Sequence, residues 1–309
     1  MNIWVAGARP RTLGAGLVPV LVGTAAADRF VVWRFGAALV VAAGLQIGVN
    51  LANDYFDGVR GVDTAERLGP PRLTASGQVT PRAVAVAAVA SLGVAGIAGL
   101  ALALATAPAL ILAIGALALL AALLYSGGPR PYAGLGLGEI AVFAFFGLMA
   151  TVGTTFVMDE TVAPAAWWAG SVLGLLAVAI LVANNLRDIP TDEAAGKRTL
   201  AVRLGERRTR SLYRGCVVGA FVTIAVGFLV WISWEPAGLT PWGLFSLTAW
   251  PLAIRPMERA GTASGRDLIP VLTGTAGLHA ACGTLMALGL ALSNTVSTGP
   301  LTLPTGPLP

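Results

Sequence analysis

Charge is scarce in this chain. Only 11% of its 309 residues are Asp, Glu, Lys or Arg, against about 25% in an ordinary soluble domain. Lysine is nearly missing: of the 20 basic residues, Lys197 alone is a lysine and the rest are arginine. There is one histidine, His279, and there are two cysteines, Cys216 and Cys282, far apart in apolar runs. Without CxxC spacing or a neighbouring His, the cysteines read as reduced, buried thiols, not as a zinc site or redox pair. His279, lone and mid-run among small apolar residues, reads as a core residue rather than a base. The arginines cluster in loops instead of forming a nucleic-acid patch, so no nucleic-acid partner is expected. The opening MNIWVAGARPRT is not a basic segment followed by an apolar one, so no cleavable signal is visible.

What is abundant is hydrocarbon. The chain is 56% hydrophobic, with mean hydropathy +0.78. Crossing a bilayer core of ~30 Å takes roughly 20 apolar residues per helix. Runs at 12–28, 34–56, 81–104, 107–126, 135–158, 164–187, 211–233, 240–255 and 267–293 predict nine transmembrane helices, the first and eighth being the shortest. With the N-terminus inside, 18 of the 20 basic residues fall on one side, and only Arg29 and Arg34 fall on the other. That asymmetry orients the protein in the cell membrane, with the arginine-rich loops in the cytoplasm. Trp33, Trp167, Trp168, Trp231, Trp234 and Trp242 fall near the less charged side, as interfacial anchors do. One membrane domain is expected over 1–296, followed by a Pro/Gly-rich, disordered tail at 297–309.

Two polar stretches interrupt this pattern, NLANDYFDGVRGVD (50–63) and NNLRDIPTD (184–192). Each ends a long apolar run on the cytoplasmic face. Each is followed by a basic loop and another span, a short internal repeat of the kind that builds sites between two halves. Carboxylates at a membrane-spanning helix end are costly and are functional suspects by default. Helix C-termini favour cations, so the acidic residues call for a ligand.

In the first stretch Asn50, Asn53, Asp54 and Asp57 recur at i, i+3, i+4 and i+7, one helical face pointing into a cavity. Asp63 follows after Gly58 and Gly61. In the second, Asp188 and Asp192 share a face if the helix is unbroken, with Asn184 and Asn185 one turn earlier. Pro190 removes a backbone donor and biases Ile189 away from helix, which leaves a broken turn as the alternative. Such hard oxygen donors suit Mg2+ shared with phosphate oxygens. Arg60, Arg67, Arg187, Lys197, Arg198 and Arg203 surround the two clusters and suit phosphate. Of these, Arg60 and Lys197 are the expected ligands. Tyr125 and Tyr132 flank GGPRP and could line an aromatic pocket. Glu139 is either a helix-start charge or a site residue, and its place at the opening of a helix favours the former.

The segments NDYFDGVRGVDTAERLGPPRLTASGQVTP (53–81) and NNLRDIPTDEAAGKRTLAVRLG (184–205) resemble the two signatures of the UbiA superfamily of membrane prenyltransferases. GARPRTL (7–13) and LYSGGPRPYAGLGLGE (124–139) also match, and the resemblance is strongest to the menaquinone branch. It implies an all-α fold of nine transmembrane helices around a cytoplasm-facing cavity, Mg2+, a polyprenyl diphosphate donor and a 1,4-dihydroxy-2-naphthoate acceptor. By that resemblance Asp54, Asp57, Asp63, Asp188 and Asp192 are metal ligands and Asp57, Asp188 and Lys197 are catalytic. Asn50, Asn53, Arg60, Asn184, Asn185, Tyr125 and Tyr132 are substrate-binding. Where the wider superfamily has NxxxDxxxD, Asn53 and Asp57 match and Gly61 takes the third place. Asp63 or Asp54 is then left to complete the metal contacts. Another aromatic acceptor (4-hydroxybenzoate or homogentisate) is the alternative within the family, and a secondary transporter is the alternative outside it. The oligomeric state is not legible. The whole reading requires the ends of the second and sixth spans to meet.

Overall fold

A computed structural model describes residues 2–61, 72–234 and 237–297, and among these every regular element is helical. A short α1 (Ile3–Ala8) leads into α2 (Pro10–Ala25). Then come α3 (Val32–Val59), α4 (Pro81–Ala105) and α5 (Pro108–Ser126). α6 (Gly138–Val142) and α7 (Ala150–Asp159) are joined without a break by a π-helical stretch, Phe143–Met149. α8 (Pro164–Ala194) and α9 (Leu200–Ser233) follow, the latter kinked at Gly205. A 3-10 stretch (Pro241–Ala249) leads into α10 (Pro251–Thr262), and α11 (Ile269–Ser297) ends the described chain. Proline opens α2, α4, α5, α8 and α10, where its missing N–H costs nothing and its fixed φ suits the first turn.

All nine predicted runs fall on helical segments. Seven of the helices are long and apolar enough to cross a membrane, which makes the chain a multi-pass membrane protein. The two shortest runs behave differently. The first is the 16-residue α2, and the eighth is split between the 3-10 stretch and α10. Of the tail expected to be disordered at 297–309, Ser297 ends α11 and residues 298–309 lie outside the described residues, as do Asp63 and Arg67.

α8 is the spine. Val172, Leu173, Leu176, Ala179 and Val182 are almost completely buried against residues of α9 and α11. Close approach on another face depends on small residues. A Cβ on Gly147 would stand 2.4 Å from the Cα of Gly174, and one on Gly170 would stand 3.1 Å from the Gly147 carbonyl oxygen. Gly170 and Gly174 thus form a groove that lets the π-helical stretch lie against α8. Cys216, Cys282 and His279 are buried in the interior, and both cysteines are free thiols. α5, by contrast, packs on α3 and α4 and buries only Ala122 and Ser126.

The α8 helix also decides between the two arrangements open for its acidic end. It runs through Pro190 to Ala194, so Asp188 and Asp192 lie on continuous helix and the broken turn does not occur. Pro190 has no N–H to give to the Leu186 carbonyl, so the helix passes it with one i→i−4 bond missing. The Thr191 hydroxyl donates to the Asp188 carbonyl at 2.9 Å and adds a bond in that region. At about 1.5 Å per residue, α3 and α8 are both longer than the ~30 Å a bilayer core requires. Their polar last turns therefore overhang the hydrocarbon.

Candidate active site

A cavity of about 940 Å³ lies between α2, α3, α4, α5, α8 and the π-helical stretch. Its walls are graded. At one end it is lined by Arg9, Asn50, Asn53, Arg72, Asn184 and Arg187. Along α3 the lining runs back through Gln46 to Ala38, a stretch of roughly 22 Å at about 1.5 Å per residue. Beyond Gln46 the walls are Val, Leu, Ile, Ala and Phe side chains with few polar atoms. The polar ends of α3 and α8 therefore share one mouth, as the sequence reading requires.

The α8 side of the mouth is held within one helix turn. Arg187 Nε donates to Asp188 Oδ1 at 2.7 Å, and its Nη2 donates to Asp188 Oδ2 and Asn184 Oδ1, each at 2.8 Å. Asn184 closes the ring by donating to Asp188 Oδ2 at 3.3 Å. Arg187 and Asp188 are almost fully buried, so this bidentate pair is desolvated, and losing either partner strands a charge. Asn185 points the other way and donates to Glu139 Oε1 at 3.1 Å. Glu139 lies in the first turn of α6, as its helix-start position suggested, and it is buried as well. No periodicity in the sequence could pair it with Asn185.

The α3 side is held by loops. The stripe of four polar residues does not act as one face. Asn50 donates to the Ala8 carbonyl at 3.4 Å and fixes α3 to the α1–α2 junction. Asp54 accepts the backbone N–H groups of Leu73 and Thr74, both at 2.8 Å, and so anchors the 72–77 turn. Asp57 receives Lys197 Nζ at 3.1 Å. Asn53 Oδ1 is buried and has no hydrogen-bond partner among the described residues, although its residue lines the cavity.

Lys197 reaches Asp57 because the chain reverses directly after α8. Its N–H donates to the Asp192 carbonyl at 2.8 Å, and Gly196 has φ +72, a left-handed conformation that glycine adopts without strain. Asp192 Oδ2 accepts the Thr199 hydroxyl at 3.5 Å. Arg60, expected on the substrate, instead donates to the carbonyls of Ser126 (2.7 Å) and Gly128, tying the end of α3 to the end of α5. Tyr125 and Tyr132 both line the cavity, with rings edge to face and centroids 5.4 Å apart. The Tyr132 hydroxyl donates to the Ala121 carbonyl at 2.9 Å. Burial pushes its phenol up to about 12, so it stays protonated.

Arg9 and Arg72 are mouth residues that the motif reading passed over. Arg9 joins α1 to α2 with φ 55, a left-handed backbone uncommon for a residue other than glycine and a mark of functional sites. GARPRTL was visible as a motif, but the strained joint was not.

Fold and site together define a polytopic helical protein with one tunnel, a cationic and amide-rich mouth and an apolar interior. The particular family follows from comparison: the UbiA prenyltransferase family model matches residues 16–259, and the chain belongs to that family. A 1,4-dihydroxy-2-naphthoate octaprenyltransferase of Mycobacterium tuberculosis is 47% identical over 277 residues, 88% of this chain and 91% of the relative. One from Escherichia coli is 36% identical, over 82% of each chain. Among solved structures, the apo UbiA homologue of Aeropyrum pernix matches with TM-score 0.67 at 16% identity, over 91% of this chain and 97% of that one. A UbiA homologue of Archaeoglobus fulgidus bound to GPP and Mg2+ matches with TM-score 0.57 at 16% identity, over 92% and 99%.

Proposed function

We propose that the chain transfers a polyprenyl group from its diphosphate to 1,4-dihydroxy-2-naphthoate, releasing diphosphate and CO2 and forming demethylmenaquinone in its reduced, quinol form for menaquinone biosynthesis. The observation that carries this reading is the graded tunnel, with both polar helix ends at one mouth and an apolar run of roughly 12 Å along α3 behind them. The names of the relatives supply the acceptor. The mouth faces the cytoplasm of the cell membrane, as the skewed distribution of basic residues supports.

The donor set fits Mg2+. Asn53 Oδ1 is a buried oxygen with no partner among the described residues, and Asp57 lies one turn beyond it. Asn184 and Asp188 repeat this spacing on α8. Among the described residues no three Asp, Glu, His or Cys side chains cluster tightly enough to hold an ion alone. That sparseness suits Mg2+, which takes one or two carboxylates and completes its shell with water and substrate phosphates. Asp57, Asp188 and Asp192, with Asn53 and Asn184, would hold it, and Asp63 remains a candidate from the sequence. When bound, the ion neutralises charge that builds on the departing diphosphate.

The chain's own residues do the rest. Lys197 offers the diphosphate a point charge, and Arg187, its fork held by Asp188 and Asn184, keeps those two side chains in place at the mouth. The allylic C–O bond breaks with its electron pair leaving on diphosphate, and the ring carbon that bears the carboxylate bonds to the allylic carbon. CO2 then departs and returns its electron pair to the ring. Tyr125 and Tyr132 form an aromatic wall for the flat acceptor. The apolar tunnel holds the tail and keeps water from the cation.

Purified protein incubated with naphthoate, a prenyl diphosphate and Mg2+ should release pyrophosphate and give a product of the prenylated, decarboxylated mass. Prenylation of 4-hydroxybenzoate or homogentisate in preference to naphthoate would overturn the acceptor. No substrate-dependent pyrophosphate release would overturn the reaction.

A further inference from the structure

Glu139 is a buried carboxylate that the prenyl-transfer chemistry above does not use. It lies in the first turn of α6, and the side-chain amide of Asn185 donates to its Oε1 at 3.1 Å. No cation among the described residues pairs with it. A buried carboxylate held by one side-chain amide is a costly arrangement. A glutamine would accept the same bond from Asn185 without burying a charge. What glutamate adds at this position is the capacity to take up a proton and give it back.

The path from this carboxylate to the cavity runs over Tyr125. Glu139 itself does not line the cavity, but Tyr125 does. A Cβ on Gly138 would stand 3.5 Å from the Tyr125 hydroxyl oxygen, so that oxygen lies against the residue next to Glu139. The two wall tyrosines also differ in how their hydroxyls are used. That of Tyr132 is committed to the Ala121 carbonyl, whereas that of Tyr125 has no hydrogen-bond partner among the described residues. The Tyr125 hydroxyl is therefore free to meet a hydroxyl group of an aromatic molecule in the cavity.

We propose that Tyr125 and Glu139 form a proton relay for the acceptor, with Tyr125 as the catalytic contact and Glu139, acting through it, as the store for the proton. The inference rests on the prenyl-transfer reading and extends it. As the ring carbon that bears the carboxylate bonds to the allylic carbon, the O–H bond of the neighbouring ring hydroxyl breaks, and its electron pair makes that C–O a carbonyl. The proton passes to Tyr125 Oη while the Tyr125 proton passes to Glu139, directly or through one water. When CO2 leaves, the electron pair of the broken C–C bond restores the ring and charges the carbonyl oxygen, which recovers its proton by the same path. The proton is borrowed, so the cycle consumes no net acid or base.

The test compares Glu139→Gln, which can keep the bond from Asn185, with the wild type, read as kcat with naphthoate against pH. At pH 7 the variant should lose about a hundred-fold in kcat, the scale of a general base. The KM of the prenyl diphosphate and the Mg2+ requirement should stay as in wild type. The deficit relative to wild type should then shrink by about ten-fold per unit from about pH 7 to 9, as the acceptor hydroxyl, a phenol of pKa about 10, ionises without help. Tyr132, Cys216, Asp57 and Arg9 also act on this pair, but they are common to both proteins, so the difference reports position 139. Tyr125→Phe should give the same recovering profile, and it decides if Glu139→Gln does not accumulate in membranes. A kcat within about two-fold of wild type in either variant overturns the relay. A deficit of equal size at every pH, the mark of a merely structural role, overturns it too. Failure of the wild type to prenylate naphthoate overturns the underlying reading instead.

Discussion

The two halves of the mouth are built on opposite plans. On α8 the arginine, the aspartate and the asparagine that orient one another belong to a single helical turn, so their geometry is fixed as soon as the helix forms. On α3 three polar side chains are satisfied from elsewhere in the chain: Asn50 by Ala8, Asp54 by Leu73 and Thr74, Asp57 by Lys197. One half is preorganised by local structure, and the other depends on distant loops closing over it. An interaction made only on closure can be exchanged for one with substrate at little cost, whereas a desolvated bidentate pair cannot. The Lys197–Asp57 contact, with the lysine partly exposed, belongs to the first kind, and Arg187–Asp188 belongs to the second.

Breaking the preorganised half should do the most damage. Asp188→Asn is expected to lower kcat by about a thousand-fold, the scale of losing a main electrostatic contact to developing charge. The protein should still insert, as membrane fractionation would show. Asp57→Asn should come next, with a loss of about a hundred-fold and weakened Mg2+ dependence, measured as a higher Mg2+ concentration for half-maximal rate. Rates near wild type for both at excess Mg2+ would remove the metal assignment.

Lys197→Met sharpens the comparison, because it removes the bridge between the halves without touching either helix. We expect KM for the prenyl diphosphate to rise by about ten-fold while the acceptor's KM holds. Asp54→Ala should act on the loop instead. Two backbone amides lose their acceptor, at a cost of about 1–3 kcal/mol, and proteolysis within 72–77 should accelerate. Mg2+ dependence should stay as in wild type, and a shift in it would return Asp54 to the metal.

The smallest effect is expected at the aromatic wall. Tyr132→Phe should change turnover by only a few-fold. Because the raised phenol of Tyr132 holds its proton more tightly when folded than when unfolded, stability should fall as pH rises from 10.0 towards about 12. That alkaline loss should shrink in Tyr132→Phe, as thermal melts at several pH values would show.

Most of the architecture was legible because hydrocarbon runs need no tertiary context: each predicted span falls on helix. What stayed illegible has local causes. Pro190 left a break open, and α8 continues past it. Glu139 does open a helix, but sequence spacing cannot show that Asn185, on another helix, faces it. The stripe on α3 had the right period, yet period does not say which neighbour answers each side chain. Asp54 was answered by a turn twenty residues on, and Arg60 by the end of α5. The Lys197 contact also escaped any reading by spacing, since it depends on the reversal at Gly196.

That lysine has a practical consequence. Position 197 carries the chain's single ε-amine, so an acylating reagent directed at primary amines has one side chain to modify, and its reaction rate reports how tightly the aspartate opposite holds it. A donor analogue that draws the amine away from Asp57 should alter that rate, giving an occupancy gauge at the mouth that requires no engineered label and no turnover.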